Sequence, residues 1–314
     1  MPNDLPRCEA VPIPNHEVAF RIDGRERLRW NYNSAYPRPF FYPLLAPNGG
    51  ELTRMGHPGA PNHDHHQSIW FAHNKVLGID FWSNTSPARI RQKQWLAYED
   101  GDNEAMMGVL LAWHDGHDPR ELLQQQLLVS VRPAPGAADE TLLELDSTFT
   151  PVAEMLEFQQ TNYGFLAVRV ARSISAHFGG GQLTNDRSVE GEPQLFEQSS
   201  RWMDYSGPLR GAAPADDGSG GVTFFDHPDN PGYPVHWHVR EDGWMGAAPT
   251  MQAPLLTTKA KPLRLRYLLH AHGGRYRAER AEEMAAWFTH QPPMRIASGR
   301  ELKVKHRHSV LVRE

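Results

Sequence analysis

Five of the chain's seventeen histidines, His57, His63, His65, His66 and His73, fall between positions 57 and 73, in the run Gly56-His57-Pro58-Gly59-Ala60-Pro61-Asn62-His63-Asp64-His65-His66-Gln67-Ser68-Ile69-Trp70-Phe71-Ala72-His73. Near neutral pH an imidazole accepts a proton, ligates a metal or faces a sugar hydroxyl. The Pro and Gly residues among them break regular structure and set side chains on a shaped loop, which reads as the floor of an active-site cleft. On extended backbone His63 and His65 share a face, and a third ligand from His57, His73 or a distant strand would complete a divalent-metal site. No His-Glu-x-x-His helix or two-His-one-carboxylate pattern accompanies them, so a metal-free polar cleft and ordinary surface or core histidines stand beside the metal as readings.

Four further groups carry polar chemistry. Trp70 and Trp82 flank Asp80, and an exposed indole stacks on the C–H face of a sugar ring, although a Trp in a β-rich chain equally serves as core. Asn162 and Tyr163 end a strand at Gly164, where they could bind hydroxyl groups or simply make a turn. In Arg201-Trp202-Met203-Asp204-Tyr205, alternation sets Trp202 and Asp204 on one face and Arg201 on the other, a ligand-binding pair or a structural ion pair. Asp226-His227 opens a Pro-rich loop that leads to His236-Trp237-His238, a mixture of carboxylate and imidazoles suited to general acid and base work. Of two further His-x-His pairs, His270 and His272 are placed at the border of the cleft, and His306 and His308 in a basic tail.

The elements that must position these groups are mostly strands. Leu143, Leu145, Ser147 and Phe149 alternate with Glu144, Asp146 and Thr148, and Leu263, Leu265, Tyr267 and Leu269 alternate with Arg264, Arg266 and His270, as in half-exposed strands. Similar runs lie at 18–22, 28–32, 40–45, 90–98, 106–113, 122–131, 155–161, 165–170, 222–225 and 302–312. Only 278–290 is helical, with Ala281, Met284, Ala285 and Phe288 at i, i+3, i+4 and i+7. The stretch 211–221 reads as a loop. More than a dozen strands without βαβ alternation predict a large antiparallel two-sheet β-sandwich with one C-terminal helix. We expect a single domain over 1–314, its first ~15 residues forming an arm.

At 314 residues and a net charge of -5, the chain gives no electrostatic reason to bind nucleic acid or an anionic membrane. It has no apolar run long enough for a bilayer and no signal-like amino terminus, so the expectation is a cytoplasmic protein. Its one cysteine, Cys8, excludes an intrachain disulfide framework and reads as an incidental thiol.

The order Gly-His-Pro, His-x-His-His, Trp-Phe-Ala-His and Gly-x-Asp-Phe-Trp, followed by Arg-Trp-x-Asp-Tyr-Ser-Gly, Phe-Asp-His-Pro-x-Asn-Pro and Trp-His-Val-Arg, resembles the bacterial PmoA-like family, a domain of unknown function. The resemblance runs from about Pro39 to Gly273; Asp64 and Gln67-Ser68 depart from the Pro and Arg-Gly expected there. The family name suggests methane oxidation, but the copper enzyme behind that name lives in a membrane, and this chain has neither a bilayer-spanning run nor a copper-site pattern. The layout is also distantly similar to the galactose-mutarotase-like supersandwich, which implies bacterial sugar catabolism. By that analogy His66 or His73, Asn162 with Tyr163, and Asp226 with His227 flank a sugar. A carboxylate such as Asp226 would remove a proton while an imidazole donates to the ring oxygen.

Three functions compete. The first is a sugar-active epimerase, mutarotase, lyase or hydrolase, with His66, His73, Asp226 and His227 catalytic. His57, His63, His65, Trp70, Asp80, Asn162, Tyr163, Arg201, Asp204, His236 and His238 would bind a small carbohydrate without a cofactor, in a monomer or homodimer. The second is a carbohydrate-binding protein without turnover, and the third a metal-dependent enzyme built on His63, His65 and a distant histidine.

Overall fold

Alternating apolar residues fold into two antiparallel eight-stranded sheets in a computed structural model that describes residues 5–57, 63–210, 218–303 and 308–314. In order across it, the first sheet contains β1 (Cys8–Ile13), β2 (Glu17–Ile22), β3 (Arg25–Asn31), β4 (Phe40–Leu44), β5 (Ile69–His73), β11 (Gly164–Arg169), β16 (Trp244–Ala247) and β15 (Trp237–Arg240). The second contains β12 (Gln182–Asn185), β13 (Trp202–Pro208), β14 (Ser219–Asp226), β18 (Leu263–Gly273), β9 (Ala137–Pro151), β8 (Leu123–Ala134), β7 (Ala105–His114) and β6 (Arg89–Glu99). Two small pairs stand apart, β10 (Met155–Phe158) with β17 (Leu255–Thr258) and β19 (Met294–Ser298) with β20 (Ser309–Arg313). The helices are the short α1 (Glu192–Leu195) and α2 (Ala278–Thr289), the latter where the periodicity of 278–290 predicts it. No described helix is long and apolar enough to cross a membrane.

Both sheets send alternate residues into one core. Ile69, Phe71, Leu166 and Val168 come from the first sheet, and Val109, Leu145, Phe224 and Tyr267 from the second. The outer faces differ. On the second sheet Trp202, Phe225 and Leu268 are capped by Ala281, Met284 and Phe288 of α2.

The expectation that β9 and β18 expose their polar sides fails, because that face is covered by α2 and the β19–β20 pair. Glu144 and Asp146 are each only 1% exposed. Arginines answer them there: Arg266 and Arg313 bind Glu144 at 3.2 and 2.8 Å, and Arg264 binds Asp146 at 2.6 Å. His270 meets Glu140 at 2.8 Å on the same face. Period two thus reports a two-sided burial in which the polar side is sealed by ion pairs.

Three other expectations change. The amino-terminal arm is instead strand β1, in register with β2 from Cys8↔Ile22 to Ile13↔Glu17, and Cys8 is buried with its thiol pushed up to about 11 by desolvation. The strand expected over 302–312 is a turn through Lys303, and pairing begins at Ser309. Of the loop expected over 211–221, residues 211–217 lie outside the described residues and Ser219–Gly221 already belong to β14.

The strand β6 forms one border of the second sheet. Its sequence RIRQKQWLAYE is rich in cations, and its register with β7 shifts at Gln92/Gln94 and at Trp95/Ala97.

If α2 is the lid of the second sheet, Phe288→Ala should lower unfolding stability by about 3 kcal/mol in urea titration. A loss below about 0.5 kcal/mol would mean that the helix does not carry this face.

Candidate functional site

The outer face of the first sheet carries aromatic rings. Trp70 and Ala72 of β5 project opposite to Ile69 and Phe71, and join Phe40, Trp82, Ala167 and Trp244 in a separate apolar cluster. Over it lies a cavity of about 300 Å³ lined by His63, His65, His66, Asn74, Asp80, Trp82, Tyr163, Arg240, Asp242 and Trp244. Tyr163 stacks on Trp244 at 5.9 Å and 17°, and Trp82 stands 5.7 Å from Tyr163 and 5.8 Å from Trp244.

The histidine loop forms one wall. His66 stacks on Trp70 at 5.6 Å and meets His65 edge-on at 4.5 Å, and His63 lies 5.1 Å from both His57 and His66. Burial drives the His66 pKa far below the ordinary imidazole range and lowers that of His63, so both are neutral at neutral pH. Among the described residues no group of three or more His, Cys, Asp or Glu side chains is arranged to hold a metal ion. The loop's residues 58–62 lie outside the described residues.

Two residues that the sequence reading did not single out organise this wall. Arg38, 1% exposed, donates to the carbonyls of His65, Phe81, Trp82 and Ser83 and to Gln67 Oε1 and Asn84 Oδ1. Desolvation brings it down to about 9, which leaves it charged at neutral pH. Asp242, in the hairpin turn between β15 and β16, accepts from Arg169 at 2.7 Å and pairs with His57 Nε2 at 3.1 Å. Arg169 keeps it ionised, below the usual carboxylate range, against the opposing effect of burial. An Asp-Gly step is an ordinary hairpin signal and hides this role, and a lone Arg between Pro37 and Pro39 gives no local sign of its contacts.

Other predicted residues gather here. Asp80 Oδ1 accepts the backbone N–H groups of Trp82 and Ser83 at 2.7 and 3.1 Å, which fixes the Trp82 loop. Asn162 contributes its carbonyl, which accepts from His238 Nδ1 at 3.0 Å; the His238 ring contacts Trp244 at 3.9 Å and Tyr163 at 4.9 Å. Burial lowers His238 to about 3.

The remainder go elsewhere. His73 points inward from β5, packed against Phe158 and Phe165, with Nδ1 accepting from Lys75 N–H and Nε2 donating to Thr250 Oγ1 at 3.1 Å. Desolvation lowers it to about 3. Asp226 and His227 do not line the cavity. Asp226 clips its own loop, accepting from Asn230 Nδ2 at 2.7 Å and Val235 N–H at 2.9 Å, and burial pushes it up to about 7. His227 pairs with Arg266 at 3.0 Å beneath Phe288, and burial lowers it to about 4. Arg201 bridges Asp186 and Glu282, and Asp204 is bound by Thr223 and His272 on the covered face of the second sheet. His236 is half-buried and outside the cavity wall. The geometry therefore separates the Asp226 loop from the histidine loop, because its polar atoms are consumed in closing the end of β14.

Six buried side-chain polar atoms without a hydrogen-bond partner lie at this one place: His66 Nδ1, Trp70 Nε1, Asn74 Oδ1, Trp82 Nε1, His238 Nε2 and Trp244 Nε1. Most buried polar groups in folded chains are paired, so such a cluster marks a wall built to meet something polar.

A model described as a family of unknown function, DUF6807, matches residues 17–286. No curated protein matches the sequence. Among solved structures, a putative mutarotase from Salmonella typhimurium is similar over 86% of this chain and 96% of its own, at 14% identity and a TM-score of 0.33. A putative kojibiose phosphorylase from human microbiome is similar over 91% of this chain and 36% of its own, at 7% identity and a TM-score of 0.31.

Arg38→Lys should cost roughly 3 kcal/mol, because a point donor cannot span both loops and leaves buried carbonyls unpaired. Thermal unfolding measures it; an unchanged midpoint would remove Arg38 as the organiser. The pH response has a definite sign. Above about 6.5, His73 and His238 are neutral both folded and unfolded. Below that, the unfolded chain binds protons that the folded chain refuses down to about 3, so stability falls with acid by on the order of 1 kcal/mol per pH unit for each. Asp226, raised to about 7, has the opposite sign, gaining stability as pH falls from there toward its unfolded value. His73→Gln should flatten the acid slope of urea stability and Asp226→Asn should steepen it.

Proposed function

The chain belongs to that family of unknown function, DUF6807, and from this premise we propose that its cavity is a saccharide site at which the protein performs acid and base chemistry. The motif order read above supports kinship with the PmoA-like family as part of the same proposal. The observation that carries the saccharide reading is the combination of stacked rings with unpaired polar atoms. Trp82, Tyr163 and Trp244 offer apolar faces for the C–H side of a pyranose, while Trp82 Nε1, Asn74 Oδ1 and His66 Nδ1 lack partners beside them.

The chemistry falls to groups on the wall rather than to the Asp226 loop. Asp242 is an ionised carboxylate and His63 a neutral imidazole. In an anomer-interconverting step, the Asp242 carboxylate takes the proton of the anomeric hydroxyl as the bond from C1 to the ring oxygen breaks, and that oxygen takes a proton from solvent, to which Asp242 returns its own. Rotation about C1–C2 and reversal of both transfers yield the other anomer, with no net change in protons or electrons. One observation favours a second reading, binding without turnover: both Asp242 oxygens are already held, by Arg169 and His57, which weakens the carboxylate as a base.

Tryptophan-fluorescence titration with a panel of neutral aldoses, followed by exchange spectroscopy between their anomers, tests both. Saturable binding is expected, weakened about tenfold or more by Trp82→Phe, which keeps a ring but loses the indole N–H. Catalysed anomer exchange lost in Asp242→Asn supports the enzyme; binding with exchange at the solvent rate supports the binding protein; no quenching by any saccharide overturns the saccharide reading.

A further inference from the structure

We infer that a second pocket, walled by Arg54, Arg172 and Arg210 and sharing a wall with the aromatic cavity, receives an anionic group, phosphate or carboxylate, carried by the saccharide. The saccharide part of this statement rests on the reading above; the anion part stands on the pocket alone. The pocket has a volume of about 520 Å³. It lies across the 63–66 turn from the cavity: Asp64 lines the pocket, whereas His63, His65 and His66 line the cavity. The common wall is the His57–Asp242 pair, in which His57 lines the pocket and Asp242 the cavity, 3.1 Å apart.

Its cations are not paired from within. Among the described residues none of the three guanidinium groups forms an ion pair. Arg54 Nε and Nη1 are buried without a hydrogen-bond partner, and its Nη2 reaches only the Asp242 carbonyl at 3.3 Å. Behind it Arg169, fully buried, uses Nη1 on Asp242 and leaves Nε and Nη2 unpaired. Two carboxylates also line the pocket, Glu51 and Asp64, but among the described residues neither comes within ion-pair distance of Arg54, Arg172 or Arg210. Asp242 is occupied by Arg169 and His57.

The arrangement is also pre-set. Arg54 and Arg172 both lie over the Phe178 ring, at 5.9 and 5.7 Å from its centre, so two planar forks are held near one another despite like charge. Burial, and then the neighbouring guanidinium groups, lower Arg54 to about 10, still charged at neutral pH. Parallel N–H donors of this kind match the oxygens of a phosphate or carboxylate and gain most from a partner that removes their mutual repulsion. A neutral sugar would leave the repulsion in place.

Calorimetric titration with inorganic phosphate tests the pocket directly. Saturable binding is expected, weakened about tenfold or more in the double variant R172Q/R210Q, whose exposed positions permit folding, and suppressed by added sodium chloride. Absence of saturable phosphate binding by the wild type, or unchanged affinity in a double variant with an unchanged melting temperature, overturns the proposal. D-glucose 6-phosphate and D-glucuronate are then compared with D-glucose. Preference for the first over the second identifies a phosphate site and the reverse a carboxylate site, while neither exceeding glucose overturns the link to the saccharide. Phosphate binding without any saccharide binding would keep the anion pocket and reject the saccharide reading; glucose binding without phosphate binding would do the opposite.

Discussion

A single buried guanidinium, that of Arg38, sets the terms for the site. It is taken out of water without a carboxylate partner and is compensated by four backbone carbonyls and two side-chain oxygens drawn from two loops, 65–67 and 81–84. Moving such an ion out of water costs several kcal/mol even after relaxation, and each charge-assisted hydrogen bond returns about 1.5–3 kcal/mol, so the balance closes only when most of the donors are met. The two loops must therefore be in place together. One carries His65 and His66, and the other carries Trp82, so the imidazole wall and the aromatic floor are ordered by the same cation.

The two outer sheet faces solve burial in opposite ways. On the second sheet, charged side chains are paired in a ladder and sealed under α2 and the β19–β20 pair, with Glu144, Asp146, Arg266 and His270 all engaged. On the first sheet, aromatic side chains form the surface and the polar atoms among them lack partners. A face sealed by ion pairs contributes stability; an open face with unmet donors and acceptors is where binding energy is available. The sandwich thus closes one outer face with ion pairs and leaves a wall of aromatic rings with unmet polar atoms on the other.

Much of this was legible in the chain. Alternation named β9 and β18, the helical spacing of Ala281, Met284 and Phe288 named α2, and the density of histidines pointed to the cavity wall. What the pattern could not convey is which partner each polar residue finds. Asp226 and His227 have the right chemistry for acid and base work, yet Asn230, Val235 and Arg266 take up their polar atoms. His73 belongs to the same histidine run as His66 but shares the parity of Ile69 and Phe71 on β5, so it enters the core. Arg38 and Asp242 act through contacts 27 to 46 and 73 to 185 positions away, beyond any local signal.

The border strand β6 has a consequence for how molecules meet. An open sheet margin offers unpaired amide and carbonyl groups to any neighbour of complementary shape, the usual start of strand-to-strand growth. Here the margin is partly closed from within, since Ile90 N–H donates to the Pro37 carbonyl and Arg91 to the carbonyls of Tyr36 and Pro37, and two register shifts twist it away from a flat template. A second copy brought there would meet groups already taken and a mismatched register, which disfavours strand-to-strand growth at that end.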